Sequence, residues 1–115
     1  MPSLLSKRIQ DKHITTDMKT KFSDLINGEQ AVLIDFFAEW CSHCKRQTGE
    51  LFEVVEHFKD KIRIAKVDID INKTLAHKYK IHSVPTLFLF KDGELLWIKK
   101  GVATKNELVS LLDMV

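Results

Sequence analysis

Ala31-Val32-Leu33-Ile34-Asp35-Phe36-Phe37-Ala38-Glu39-Trp40-Cys41-Ser42-His43-Cys44-Lys45 is the stretch whose reading decides the fold. Its first seven residues are apolar except for Asp35, the pattern of a central strand covered on both faces. After Cys41 the period changes to that of a helix. Cys44, Thr48, Leu51, Val55 and Phe58 fall on one face, while Lys45, Arg46, Glu53, Glu56 and Lys59 mostly lie elsewhere. A strand therefore hands over to a long amphipathic helix where the chain's 2 cysteines stand, separated by two residues. Thiols at that spacing can meet across one helical turn and close a small disulfide ring, and a dithiol that opens and closes is a two-electron redox centre.

Outward from this stretch, the pattern continues to alternate between strands and helices. Residues Met1 to His13 are polar and irregular, with Leu4, Leu5 and Ile9 the large apolar positions, so residues 1–14 are expected to form an N-terminal arm and 15–115 the domain. Thr16 and Asp17 can cap a helix carrying Met18, Phe22, Leu25 and Ile26, which Asn27-Gly28 stops. Gly49 lies within the long helix, at a cost of about 1 kcal/mol relative to alanine, and leaves room for a bend. Lys61 to Asp68 reads as a second strand with Ile62, Ile64 and Val67 facing the core, and Asn72 to Tyr79 as a short helix. Val84-Pro85 opens a third strand, Thr86 to Phe90. Asp92-Gly93 between two apolar runs signals a hairpin, so Glu94 to Lys100 should return antiparallel. Thr104 caps a last helix carrying Leu108, Leu111, Leu112 and Val115. The fold class is α/β: one central mixed sheet with helices on both faces. Trp97, Phe37, Phe88 and Phe90 are expected in its core, with His13, His57 and His77 in solvent.

Composition narrows the function. A chain of 115 residues supports one domain with one core. Its 18 basic and 16 acidic residues leave a net charge of +2, too weak a field to hold nucleic acid or an anionic membrane. No apolar run approaches the roughly 20 residues needed to span a bilayer, and Met1 to Ile14 lacks the hydrophobic core of a signal segment. A cytoplasmic setting is expected, with an exported or periplasmic one the alternative if a signal segment was removed. Two cysteines this close would staple almost nothing as a structural bridge, so the pair is reactive or metal-binding. Cys41, His43 and Cys44 make an incomplete metal site, because zinc sites usually draw on two separated ligand pairs and no second pair at ligand spacing is present. No metal or cofactor is expected.

Thiolate is the nucleophile, so the attacking sulfur should be exposed and its pKa depressed. Cys41 at a helix start is expected to have both properties, because unpaired N–H groups and the helix dipole favour an anion there. Cys44 lies one turn deeper and would resolve the mixed disulfide. His43, when protonated, adds a positive charge beside the Cys41 sulfur, which stabilises thiolate and raises the potential. Asp35, in a strand buried on both faces, should have a raised pKa. Pro85, opening a strand without an N–H donor, is the best candidate for a cis bond.

Three separated motifs carry a resemblance that covers most of the chain. Val32 to Cys41 is similar to the strand and active-site approach of thioredoxins, Val84-Pro85-Thr86 to their cis-proline turn, and Phe90-Lys91-Asp92-Gly93-Glu94 to their hairpin. The chain thus resembles thioredoxin-fold thiol–disulfide oxidoreductases. The resemblance implies that Asp35 relays a proton to or from Cys44, that Lys66 approaches Asp35, and that Pro85 lies against the dithiol. It leaves the Val84 backbone to pair with an extended substrate segment, by strand addition. Trp40, packed beside the dithiol, would shape the substrate surface with Val84, Gly101 and Val102, and His82 would reach the site rim. The implied partners are protein disulfides and an upstream thioredoxin-reductase-type electron donor, acting on a monomer. Two departures stand out: Ser42-His43 replaces the usual Gly-Pro, with histidine placed as in disulfide isomerases and periplasmic oxidases, and Gly49 replaces a helix-kinking proline. The first makes a more oxidising oxidase or isomerase, tuned by His43, the alternative to a reductase.

Overall fold

The structure is a computed structural model that describes residues 14–15 and 22–115. Its elements run β1 (Ile14–Thr15), α1 (Phe22–Ile26), β2 (Ala31–Phe37), α2 (Ser42–Phe58), a 3-10 turn (Lys59–Lys61), β3 (Ile62–Asp68), α3 (Lys73–Lys78), β4 (Thr86–Lys91), β5 (Glu94–Lys100) and α4 (Lys105–Leu112). The strands form one sheet in the order β1-β3-β2-β4-β5. β1 and β2 run parallel to β3, while β4 is antiparallel to both β2 and β5. This is a mixed sheet with β2 at its centre, as the near-continuous apolar run requires.

The alternation of side chains across each strand divides the core in two. On one face Leu33, Ile64, Leu87 and Leu89 pack against Leu51, Val54, Val55 and Phe58 of α2 and Leu108 and Leu112 of α4. On the other, Val32, Ile34, Phe36, Val67, Phe88 and Phe90 meet Leu25 and Ile26 of α1 and the half-buried Leu75 and Tyr79 around α3. Phe36 and Phe88 stack edge to face at 5.0 Å and 72°, and Tyr79 does the same on Phe88 at 5.6 Å and 83°. Each fully buried Leu, Ile or Phe contributes about 1.5–3 kcal/mol, so these two layers hold the sheet between its helices. Phe88 and Phe90 are buried as expected, whereas Trp97 and Phe37 are only half-buried. Trp97 lies on an edge strand with one face covered.

At the β4–β5 hairpin, Asp92 and Gly93 both adopt positive φ, 53° and 79°, the conformation that a two-residue turn matching the strand twist demands. The α1–β2 connection grips this turn, with Asp92 N–H donating to Gly28 O at 3.0 Å and Gly93 N–H to Ile26 O at 2.9 Å. Helix α2 runs through Gly49 without interruption. β1, which pairs Ile14 with Ile64, includes a residue that the sequence reading put in the arm; two residues are too few for a periodic signal. The proposed cap at Thr16 and Asp17, Met18, His13 and the rest of the arm lie outside the described residues.

Candidate active site

The end of β2 and the start of α2 are joined by Ala38 to Cys41, where Cys41 N–H donates to Ala38 O at 3.2 Å. Cys41 is the N-cap of α2. Its Sγ accepts the Cys44 N–H at 3.2 Å, in the place where a serine or aspartate oxygen would satisfy an orphan donor of the first turn. The same Sγ donates to the Val84 carbonyl at 3.7 Å. Both cysteines are free thiols. Cys41 is not exposed as expected: it is 6% accessible and Cys44 2%. Ile69 and Val84, brought in from the β3–α3 and α3–β4 connections, pack over the pair together with Ala38 and Phe37, which local sequence could not reveal.

Burial, first, and the hydrogen bond with Cys41 push the Cys44 thiol up to about 12. The charges of Cys41 and Asp35 act in the same direction, against a lowering hydrogen bond involving Ala38. Asp35 is fully buried. Its carboxyl is raised by that burial, with the charge and hydrogen bond of Lys66 pulling the other way. The β2–β3 register sets Asp35 beside Lys66, whose Nζ donates to Asp35 Oδ2 at 2.9 Å and to Thr48 Oγ1 at 2.7 Å. Thr48 in turn donates to the Cys44 carbonyl at 3.1 Å, and the Lys66 ammonium sits 4.3 Å from the Phe37 ring centroid. Among the described residues Asp35 Oδ1 has no hydrogen-bond partner. A buried carboxylate with one unmatched oxygen has a strong reason to take up a proton.

The Val84–Pro85 bond is cis. Gly101, at φ 97°, donates its N–H to the Pro85 carbonyl at 2.9 Å, which sets the half-buried Gly101 and Val102 beside the Val84–Pro85 turn. Trp40, adjoining Cys41, is 71% exposed, and its indole N–H donates to Asp70 Oδ2 at 3.0 Å. Ser42 and His43 are exposed in the first turn of α2. His82 lines a cavity of about 350 Å³ with Ile69, Lys73, Ala76, His77, Lys80 and Ile81, and Ile69 joins that cavity to the dithiol. Among the described residues no group of three or more His, Cys, Asp or Glu side chains is arranged to hold a metal ion.

Sequence reasoning placed Thr48 on the core face of α2 without a role and overlooked Gln47. Gln47 is fully buried and exchanges two hydrogen bonds with the backbone of Ala103. The available signal was a glutamine at i+3 from Cys44 on a face otherwise given to Leu51, Val54 and Val55.

The family model described as Thioredoxin matches residues 13–114. The chain is 39% identical to the chloroplastic Thioredoxin Y1 of Arabidopsis thaliana, over 93% of its own length and 61% of the relative's. It is 36% identical to the thioredoxin of Pseudomonas aeruginosa, over 89% of its own length and 95% of the relative's. Among solved structures, it superposes with a TM-score of 0.78 and 26% identity on a chain from work on the thiol-resolving mechanism of yeast mitochondrial 1-Cys peroxiredoxin via glutathione/thioredoxin systems, covering 89% of this chain and 95% of that one. A chain described as the structure of a malarial protein gives a TM-score of 0.71 at 32% identity, covering 74% and 96%.

Proposed function

Because this chain belongs to the thioredoxin family, we propose that it reduces disulfide bonds in protein substrates, with Cys41 as the attacking sulfur and Cys44 as the resolving one. Members of this family are thiol–disulfide oxidoreductases, and the Cys41–Cys44 pair has the spacing of their dithiol. The observation that carries the assignment of roles is the inequality of the two thiols. Cys41 Sγ caps α2 and accepts the Cys44 N–H at the start of the helix, while burial, first, pushes Cys44 up to about 12.

Chemically, the Cys41 thiolate attacks one sulfur of the substrate disulfide. A bond forms from Cys41 to that sulfur, the substrate bond breaks, and the departing thiolate takes a proton. Cys44 then loses its proton and attacks Cys41 Sγ; the Cys41–Cys44 bond forms, and the second substrate thiolate leaves. The pair gives up two electrons and the substrate gains them, so each turnover needs an external dithiol donor, such as a reductase.

Asp35 is suited to accept the Cys44 proton. Its raised carboxyl binds a proton readily, and on protonation it loses the negative charge that opposes the Cys44 thiolate. Lys66, held by Asp35 and Thr48, offsets the carboxylate charge when the proton returns to solvent. Ionisation of Cys41 also removes the donor that occupies the Val84 carbonyl, which frees that carbonyl for an extended substrate segment laid along Val84–Pro85, flanked by Gly101 and Val102. Trp40 forms an exposed wall at the rim. The working form is a monomer in the cytoplasm; no helix among the described residues is long and apolar enough to cross a membrane.

A second reading rests on the exposed His43 in the first turn of α2, two residues after Cys41. A cation there stabilises thiolate and makes the disulfide more oxidising, toward about −180 mV for protein disulfide isomerase instead of about −270 mV for thioredoxin. The test is insulin reduction with dithiothreitol as donor, together with the potential in a glutathione buffer. Turnover of insulin with a potential toward the lower value supports the reductase, whereas a potential near the higher value with no insulin reduction replaces it with oxidase or isomerase work.

A further inference from the structure

Gln47 occupies a position in α2 that packing alone would give to leucine: it is fully buried and shares its face with Cys44, Leu51 and Val54. A primary amide in that setting is costly unless its polar atoms are matched. Both ends are matched by a single residue 56 positions away. Gln47 Nε2 donates to Ala103 O at 3.0 Å, and Ala103 N–H donates to Gln47 Oε1 at 2.7 Å. The side chain thus pairs with the backbone as a neighbouring strand would.

The partner segment leads back to the dithiol. Ala103 is two residues from Gly101, whose N–H donates to Pro85 O at 2.9 Å, and the adjoining Val84 carbonyl accepts from the Cys41 thiol at 3.7 Å. From Cys44 one turn along α2 to Gln47, across to Ala103, back through Gly101 and Pro85 to Val84 and Cys41, the contacts close a ring. Glu50, one turn further on, accepts the Lys105 N–H at 2.5 Å, so α2 holds this part of the chain at two points, Gln47 being the nearer to Gly101 and Val102.

We propose that Gln47 is a positioning residue that fixes the Gly101–Ala103 segment against the reactive helix and so sets the affinity for protein disulfides. This rests on the reading that substrates lie along Val84–Pro85, beside Gly101 and Val102. A protein segment docked there profits from an edge already ordered, because binding then carries less ordering cost. A small disulfide that reaches only the Cys41 sulfur gains nothing from it. A glutamine acting only as core filling would affect both substrates alike.

The test compares Gln47→Met, of similar volume but without the amide, and Gln47→Glu, which keeps the acceptor for Ala103 N–H, with the unaltered protein. Insulin and 5,5′-dithiobis(2-nitrobenzoate) serve as the protein and small disulfides. For Gln47→Met we expect KM for insulin to rise about tenfold with kcat, small-disulfide rate and reduction potential unchanged, and for Gln47→Glu, whose second carboxylate oxygen meets Ala103 O where a donor stood, a rise at least as large. An unchanged KM, or equal losses on both substrates, overturns the proposal. Should the Met variant not fold, hydrogen exchange in the unaltered protein decides: slow exchange of the Ala103 amide and the Gln47 side-chain amide is expected, and exchange of the Gln47 amide as fast as that of the exposed Asn106 overturns it. Failure of the unaltered protein to reduce insulin refutes the functional reading instead.

Discussion

Replacing Asp35 with asparagine should slow the second half of the exchange and leave the first half nearly intact. The magnitude follows from Cys44. Burial, first, holds the Cys44 thiol up, at about 12 in the free dithiol, so little of it is ionised at pH 7. Resolution of the mixed disulfide therefore depends on a base that takes the proton as the sulfur attacks, and a positioned base contributes about 10²–10⁴-fold. Asparagine keeps an acceptor for Lys66 Nζ and leaves the Lys66–Thr48 bond in place, so the surroundings persist while the base is gone. The lost carboxylate charge also relieves the Cys44 thiolate, but it is the smallest of the influences on that thiol and offsets little of the loss. We expect resolution to slow by about 10²-fold at pH 7, near the lower end of the general-base range. The assay is stopped-flow release of thionitrobenzoate from its mixed disulfide with Cys41, followed from pH 6 to 10. In the unaltered protein the rate should rise as Asp35 ionises, at a pH above the usual carboxylate range, and then level off. In the variant it should climb in proportion to hydroxide throughout and approach the unaltered rate at the alkaline end. Superimposable profiles would refute the relay.

Two further outcomes follow from the same geometry. His43→Pro places proline in the first turn of α2, where its missing N–H is tolerated, and removes the imidazole two residues from Cys41; the potential in glutathione buffer should fall by tens of millivolts, at about 1.4 kcal/mol per 30 mV, and an unchanged value would make His43 a bystander. The buried Asp35 also links stability to pH. Because its folded pKa lies above its unfolded value of about 3.9, the folded state binds the proton more tightly, and the Asp35 contribution falls as pH rises between those two values. In urea unfolding, the stability of Asp35→Asn minus that of the unaltered protein should therefore grow with pH across this window and then level off; a difference independent of pH would contradict the raised pKa.

The elements that sequence made legible are those with a strong local rhythm. The apolar run Ala31–Phe37, the helical period after Cys41 and the Asp92-Gly93 turn each specify their own conformation, and each appears where expected. What escaped depends on distant partners or on elements too short for rhythm. Ile14–Thr15 is a strand because β3 offers it an edge. Cys41 is covered because Val84 and Ile69 arrive from later connections, and Trp40 turns outward because Asp70 offers its indole an acceptor. Lys66 meets Asp35 through the β2–β3 register, which the family resemblance implied and the alternation of β3 alone did not. Gln47 was visible as a polar residue on an apolar face, but its partner is 56 residues away, and only the tertiary structure supplies it.

The reduction of protein disulfides through an attacking Cys41 and a resolving Cys44 is tested most directly by trapping the intermediate. Cys44→Ser and Cys41→Ser would each be mixed with insulin under non-reducing conditions, and any disulfide-linked adduct mapped by mass spectrometry. We expect Cys44→Ser to accumulate a stable adduct through Cys41, and Cys41→Ser to form none. An adduct through Cys44 in the second variant, or none in the first, would contradict the assignment.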